Sequence, residues 1–329
     1  MKKIQNKKIL INKKKNSDID IFLTSDQVTP SDLSKNEIMI KSSFSSINFK
    51  DLLVLKGNPG LVRRFPHTPG IDVSGTVISS KSKKFKVGQK VLVIARPFGL
   101  TVPGGFQQYV KIQDKWVDLL PKGMTLKQSM ILGTAGFTAM IAALKLKKLK
   151  SKKSILITGA SGGVGIISAL ILKSWGHKIT ACVRNNSFKS EFKKIGIKSI
   201  ISLKELTVDK NMPLLKENYS AVIDNVGGEA FGSAHRQVEK KGIICLIGNV
   251  IGEITSLFLL PFILRGINIL GINAEIVSET RRKKIFFELV KFCREQKLNK
   301  IYIEKDLNYF KNEIFSKNKK KCKRILIKL

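Results

Sequence analysis

Ala160-Ser161-Gly162-Gly163-Val164-Gly165 follows the apolar run SILIT and opens the helical pattern that continues from Ile166. A glycine turn between a strand and a helix is the setting of a dinucleotide-binding fingerprint. Gly162 lets the backbone approach a pyrophosphate, and Gly165 lets the helix pack on the strand. Ala160 stands where the first glycine of GxGxxG would be. The helix N-terminus offers amides and a positive dipole end to phosphates, so Ser161, Gly162, Gly163, Val164, Gly165 and Ile166 are cofactor-binding candidates. An acidic residue about 20 positions further on would bind the ribose 2′-hydroxyl of NAD. The next strand instead ends in Arg184-Asn185-Asn186-Ser187, and no carboxylate follows until Glu191. A basic, hydroxyl-bearing pocket suits a 2′-phosphate, so Arg184, Asn185 and Ser187 point to NADPH. The alternative is that Arg184 is one more surface cation in a basic chain.

Two other chemistries fail on residue types. A short-chain dehydrogenase needs a Tyr-xxx-Lys pair. Tyr109, Tyr219, Tyr302 and Tyr309 are followed four positions later by Gln113, Ile223, Asp306 and Glu313. The cysteines, Cys182, Cys245, Cys293 and Cys322, form no CxxC pair, and His67, His177 and His235 are scattered. Neither a zinc site nor a disulfide framework is suggested.

The elements that must position the turn divide the chain. At 329 residues and 43% hydrophobic, it has enough apolar mass for two domains. Residues 1–124 read as β-rich: EIMIKSSFSS, DVSGTVIS, QKVLVIA and FQQYVKI lie between the turn signals KGNPG, HTPG, KVGQ and VPGG. From Thr125, TLKQSMILGTAGFTAMIAALKLKKLK reads as helix, glycine break, helix. Then SILIT, HKITACV, IKSII, SAVIDNV, GIICLIG and INILGIN alternate with helical patterns. That alternation predicts an α/β, Rossmann-type doubly wound parallel sheet over 125–272. In 273–329, SETRRKKIFFELVKFCREQ reads as an amphipathic helix with Ile285, Leu289 and Phe292 on one face, and RILIKL as a strand. Ligands meet such sheets at the carboxyl ends of strands. Asn225, Gly248-Asn249 and Ile272-Asn273 end the fourth, fifth and sixth strands and are further cofactor candidates. Thr134 is either a pocket residue or a helix N-cap.

The formal net charge is +36. Lysines run through the whole chain without interleaved aromatics, which favours compositional drift over nucleic-acid binding. A nucleic-acid-binding protein on a dehydrogenase scaffold remains the minority alternative. The field still steers anionic ligands inward. The basic start lacks the apolar segment of a secretory signal, and no long uninterrupted apolar run is present, so a cytoplasmic location and no membrane partner are expected.

A β-rich part followed by a nucleotide-binding part resembles the medium-chain dehydrogenase/reductase superfamily along essentially the whole chain. That resemblance implies a GroES-like catalytic domain in 1–124, an NADPH-binding Rossmann domain in 125–272, and a segment in 273–329 that returns to the catalytic domain. Where zinc members carry Cys and His-Glu, this chain has SSINFKD and TPGIDVSG, with Asn48 or its neighbours and Ile71-Asp72 at those places. It therefore resembles the zinc-free, quinone-oxidoreductase-like branch. SSINFKD, VRRFPHTPGIDVSGTV, GTAGFTAM, TGASGGVG, PFILRGINILGIN and ETRR resemble the acrylyl-CoA reductases, which reduce acrylyl-CoA to propionyl-CoA with NADPH. The resemblance implies Asn48 near the reacting centre, where the residue alone would read as one satisfying a local turn. It implies Phe49 against the nicotinamide, in place of that branch's usual Tyr, and Asn318 reaching the cofactor. Arg63-Arg64 reads as a clamp for the phosphates of a CoA thioester or as surface ion pairs. A quinone or 2-alkenal reductase is the alternative within the same fold, and a homodimer through the nucleotide domain is implied.

Overall fold

The computed structural model describes residues 3–14, 18–184, 188–207, 211–296, 298–315 and 323–329. They form two compact units. One comprises the described residues of Met1–Phe137, Phe286–Lys319 and Arg324–Leu329; the other, those of Thr138–Ile285 and Lys320–Lys323.

The first unit is built mainly of antiparallel strands, with one parallel pair, between its last two strands. β1 (Ile4–Lys13) and β2 (Ile19–Val28) form a hairpin, followed by β3 (Glu37–Ser46), the short helix α1 (Phe49–Leu55), β4 (Val73–Ser80), β5 (Lys90–Val93), β6 (Tyr109–Gln113) and β7 (Asp118–Leu119). The helix α2 (Leu126–Leu146) leaves this unit near its middle. Alternation along β3 and β4 puts Ile38, Ile40, Val73 and Val77 into one core with Phe85, Val91 and Val93. The β1–β2 hairpin carries no clear strand signal, because lysines flank its short apolar runs. Ile9 and Ile11 nonetheless lie opposite Leu23 and Ile21 and are fully buried.

The second unit is the doubly wound sheet. Its elements are β8 (Ser154–Ile157), α3 (Gly163–Ser174), β9 (Ile179–Val183), α4 (Lys189–Lys194), β10 (Ser199–Ser202), α5 (Leu203–Leu206), β11 (Tyr219–Asp224), α6 (Gly228–Ala234), β12 (Val238–Leu246), α7 (Leu260–Arg265), β13 (Asn268–Gly271) and the start of α8 (Glu279–Glu295). The strand order is β10-β9-β8-β11-β12-β13, and every pairing is parallel. The order reverses between β8 and β11, which is the topological switch point where such sheets bind ligands. β9 and β11 are buried at every residue, as a sheet covered on both faces requires.

The chain then returns to the first unit through the rest of α8, β14 (Tyr302–Lys305), α9 (Tyr309–Asn312) and β15 (Arg324–Lys328). There β15 pairs with β14 and β3, completing a sheet ordered β14-β15-β3-β4-β5-β7, with β6 beside β3. Ile285, Leu289 and Phe292 are buried on α8, as its periodicity predicts. α2 is long and apolar enough to cross a membrane, but 83% of its apolar window is buried and Gly133 breaks it.

Leu156 is fully buried at the centre of the parallel sheet, against Val222, Ile244 and Cys182. Leu156→Ala should cost about 2–5 kcal/mol of unfolding free energy, measured by denaturant titration.

Candidate active site

In the second unit the glycine turn is held by backbone bonds. Gly162 N–H donates to Gly159 O at 2.9 Å, and Ala160 N–H donates to Cys182 O on β9 at 3.1 Å. Gly162 caps α3, and the first intrahelical bond runs from Ile166 N–H to Gly162 O. The amides of Gly163, Val164 and Gly165 are thus the orphan donors of the helix N-terminus. A Cβ at Gly165 would lie 2.5 Å from Gly159 O, so only glycine lets the helix approach the turn this closely. Ser161, Gly163 and Val164 are half-buried, Gly162 is exposed, and Ile166 is buried beneath them.

The neighbouring strand end is tied to this turn by side chains. Thr158 Oγ1 donates to Asp224 and accepts from Asn225 N–H, while Asn225 Nδ2 donates to Thr158 O at 2.8 Å. Asn225 Oδ1 is buried with no hydrogen-bond partner among the described residues. A buried acceptor left open in this way is costly unless a ligand or water fills it. Gly248 packs against the Asn225 carbonyl, where a Cβ would come within 2.4 Å of the oxygen. Asn249 and Asn273 are exposed and used locally: Asn249 Nδ2 donates to Glu253, and Asn273 Oδ1 accepts from Glu275 N–H. Ile272 N–H donates to Leu246 O on the adjacent strand. Arg184 is exposed at the end of β9. Asn185, Ser187 and Asn318 lie outside the described residues. The nearby Cys182 thiol is pushed up to about 12 by burial and is inert.

In the first unit Asn48 belongs to a buried polar cluster centred on Asp72. Asp72 is fully buried. Its Oδ2 accepts from Ser46 Oγ at 2.6 Å, Asn48 Nδ2 at 2.8 Å and Thr134 N–H at 3.0 Å, and its Oδ1 accepts from the Thr134 hydroxyl. Arg324, at the start of β15, lies behind them. Its guanidinium donates to Ser46 Oγ at 2.9 Å, Asn48 Oδ1 at 3.3 Å, Ile47 O at 2.9 Å and Ile131 O at 3.2 Å, and sits 3.9 Å from the Asp72 carboxylate. Burial lowers the Arg324 pKa, against the pull of Asp72 and Asp51.

Asn48 is the N-cap of α1, but its side-chain amide is turned into this cluster. The cap is supplied from the other direction, since the Asp51 carboxylate accepts from Asn48 N–H at 2.8 Å. Asp51 also accepts from Ile71 N–H at 2.9 Å and is fully buried. Burial, with a smaller push from Asp72, raises its pKa to about 7. The Thr134 hydroxyl donates to Asp72 and accepts from Ala95 N–H, which ties the break in α2 to the cluster. Gly133 explains the break. Its φ is +53°, and a Cβ there would lie 2.3 Å from Asp72 Oδ2 and 2.6 Å from Ser46 Oγ. Phe49 follows Asn48 with 45% of its surface exposed. Arg63 and Arg64 are exposed in the loop after α1. Sequence reasoning missed Asp51 and Arg324, and saw Asp72 only as a replaced zinc ligand.

The sequence family described as "Alcohol dehydrogenase GroES-like domain" matches residues 34–122, and "Zinc-binding dehydrogenase" matches residues 163–286. The putative quinone oxidoreductase YhfP of Bacillus subtilis is 33% identical over 79% of both chains. The chain belongs to the medium-chain dehydrogenase/reductase family. It is an oxidoreductase of the branch related to quinone oxidoreductases. The acrylyl-CoA reductase AcuI of Ruegeria pomeroyi is 30% identical over 83% of both chains. The Salmonella enterica YhdH oxidoreductase, solved with NADP, superposes with a TM-score of 0.88 at 28% identity, covering 99% of this chain and 100% of that one. YhfP, solved with NAD, superposes with a TM-score of 0.89 at 28% identity and the same coverage.

The zinc in the second family's description does not fit these residues. Among the described residues no three His, Cys, Asp or Glu side chains cluster as a metal site. The Asp72 oxygens are already filled by hydroxyl and amide donors.

The raised Asp51 pKa sets a sign for stability. The folded protein holds this proton more tightly than the unfolded chain, so the contribution is greatest near pH 4 and is lost as pH rises to about 7. The stability of the wild type relative to Asp51→Asn should fall over that window by on the order of 4 kcal/mol, read from denaturant titrations at each pH. A pH-independent difference would place the Asp51 pKa in the ordinary carboxylate range.

Proposed function

We propose that the protein reduces the activated C=C bond of an enoyl thioester with NADPH, turning acrylyl-CoA into propionyl-CoA without a metal. The observation that carries this is the similarity to AcuI over 83% of both chains. Arg184, at the end of β9 with no acidic residue before Glu191, supports NADPH, because a 2′-phosphate needs a cation where NAD needs a carboxylate.

When bound, NADPH supplies the hydride. The amides at the start of α3 receive its pyrophosphate, with Ser161 through Ile166 forming the turn around it. Arg184, Asn185 and Ser187 take the 2′-phosphate. Asn225, through its open Oδ1, accepts from a cofactor hydroxyl; Gly248, Asn249, Ile272 and Asn273 border it at the strand ends, and Asn318 serves the same ligand. Hydride addition at the β-carbon of an enoyl thioester puts negative charge on its oxygen as an enolate, and a proton from solvent then adds at the α-carbon. Asn48 donates to that oxygen, since a fixed donor aimed at developing charge lowers the barrier. Phe49 offers its exposed ring to the nicotinamide, and Thr134, half-buried beside Asp72, lines the pocket for it. Arg63 and Arg64 engage the CoA phosphates, aided by the net charge of +36.

The proposal includes a cytoplasmic homodimer. β13 is an edge strand of the parallel sheet, and in the segment that precedes it Ile254, Leu259, Ile263 and Leu264 are exposed apolar side chains. A second copy covers them. Size-exclusion chromatography with light scattering should give twice the chain mass of 36.7 kDa.

The second reading, a quinone or 2-alkenal reductase, is favoured by the 33% identity to YhfP. NADPH oxidation decides between them. Turnover with acrylyl-CoA should exceed that with a free enone or a simple quinone, and Arg63→Ala or Arg64→Ala should raise KM for the CoA substrate. Arg184→Ala should raise KM for NADPH about tenfold, as loss of one charge-assisted contact implies, and leave KM for NADH unchanged. Equal turnover of the quinone, with no effect of CoA, would establish the second reading.

A further inference from the structure

Asn48 is held between opposite charges. Its carbonyl oxygen faces the Arg324 guanidinium at 3.3 Å, and its Nδ2 faces the Asp72 carboxylate at 2.8 Å. This leaves one orientation for the amide, because the flipped amide would set its NH2 against a cation and its oxygen against an anion. Nδ2 carries two hydrogens. One goes to Asp72. The other has Ser46 O at 3.3 Å and Asp51 Oδ2 at 3.4 Å, both longer than the 2.8 Å bond to Asp72 and divided between two acceptors. That second N–H is the weakly committed donor of the cluster.

Arg324 adds something that geometry alone does not. A cation on the carbonyl oxygen of an amide draws electron density from its nitrogen and makes both N–H groups stronger donors. Arg324 is itself fixed by Ile47 O, Ile131 O and Ser46 Oγ, and the Ser46 hydroxyl passes the interaction on to Asp72 Oδ2. The guanidinium is buried, so water does not screen this polarisation. No feature of a packing role requires the Asn48 oxygen to lie on the guanidinium, since Arg324 already has three other acceptors.

We propose that Arg324 is a positioning residue for the reductase reaction. It orients and polarises the Asn48 amide so that its second N–H meets the substrate carbonyl oxygen, with Asp72 fixing the other N–H. The proposal rests on the reductase reading above.

The test is a double-mutant cycle of Asn48→Ala and Arg324→Lys, with kcat and KM measured on the fastest activated alkene. Lysine keeps the charge but loses the fork that reaches Asn48 and Ile47 together. Arg324→Lys should lower kcat at least tenfold in the wild-type background, with a smaller change in KM, and have little further effect in the Asn48→Ala background. Equal loss in both backgrounds, or none in the first, would overturn the proposal. Near-UV circular dichroism confirms that each variant is folded. A variant that unfolds is replaced by Ser46→Ala, which removes the hydroxyl joining Arg324 to Asp72 and should show the same dependence on Asn48. If the wild type reduces no alkene, the reductase reading fails by itself. The positioning is then read from the Asn48 side-chain 15N–1H resonances, assigned by their loss in Asn48→Ala. They should shift in Arg324→Lys, and unmoved resonances would overturn the orientation as well.

Discussion

A carboxylate taken out of water must be met by donors and by a compensating charge, and Asp72 draws both from distant parts of the chain. Ser46 comes from the end of β3, Asn48 from the cap of α1 and Thr134 from the break in α2. Arg324 comes from β15. Each requirement explains a local irregularity. Gly133 must lack a side chain because a Cβ there would strike the carboxylate, and its φ of +53° independently favours glycine. Asn48 gives up its usual capping role because its amide is claimed by the ion pair, and Asp51 takes over the cap from within the core. Removing one partner would leave a buried charge unanswered, so these residues stand or fall together.

The second unit is organised by different physics. Its turn is held by backbone hydrogen bonds and by the close approach that Gly165 permits. Its binding groups are main-chain amides, whose positions follow from the strand–turn–helix path itself. One unit offers dipoles fixed by topology and tolerant of sequence. The other offers a side-chain network in which identity matters at every member.

This difference also decides what could be read in advance. Alternating strands and helices, the glycine turn and the face of α8 are periodic, local signals, and the doubly wound parallel sheet they imply is the one the second unit forms. Asn48 stood out through a resemblance, not through its own spacing. Arg324 was hidden at the end of a run of lysines, where a buried cation looks like any other. Asp51 carried no signal of its own, because its burial depends on Ile71 and the loop before β4. The β1–β2 hairpin escaped because its apolar residues face the core in short bursts between lysines. Long-range polar pairing leaves no period in a sequence, and the Ile47–Arg324 contact spans 277 residues.

That separation has a consequence for how the protein is made. The second unit is one nearly continuous stretch, so it is complete while the ribosome is still reading the segment that follows it. The first unit begins earlier and finishes later. Through all that time Asp72 has been synthesised and its guanidinium has not. The nascent first unit must carry an uncompensated carboxylate, or a protonated one, until β15 emerges and slots beside β3. Assembly of the Asn48 cluster is therefore a late event in synthesis, coming after the nucleotide-binding fold is able to form.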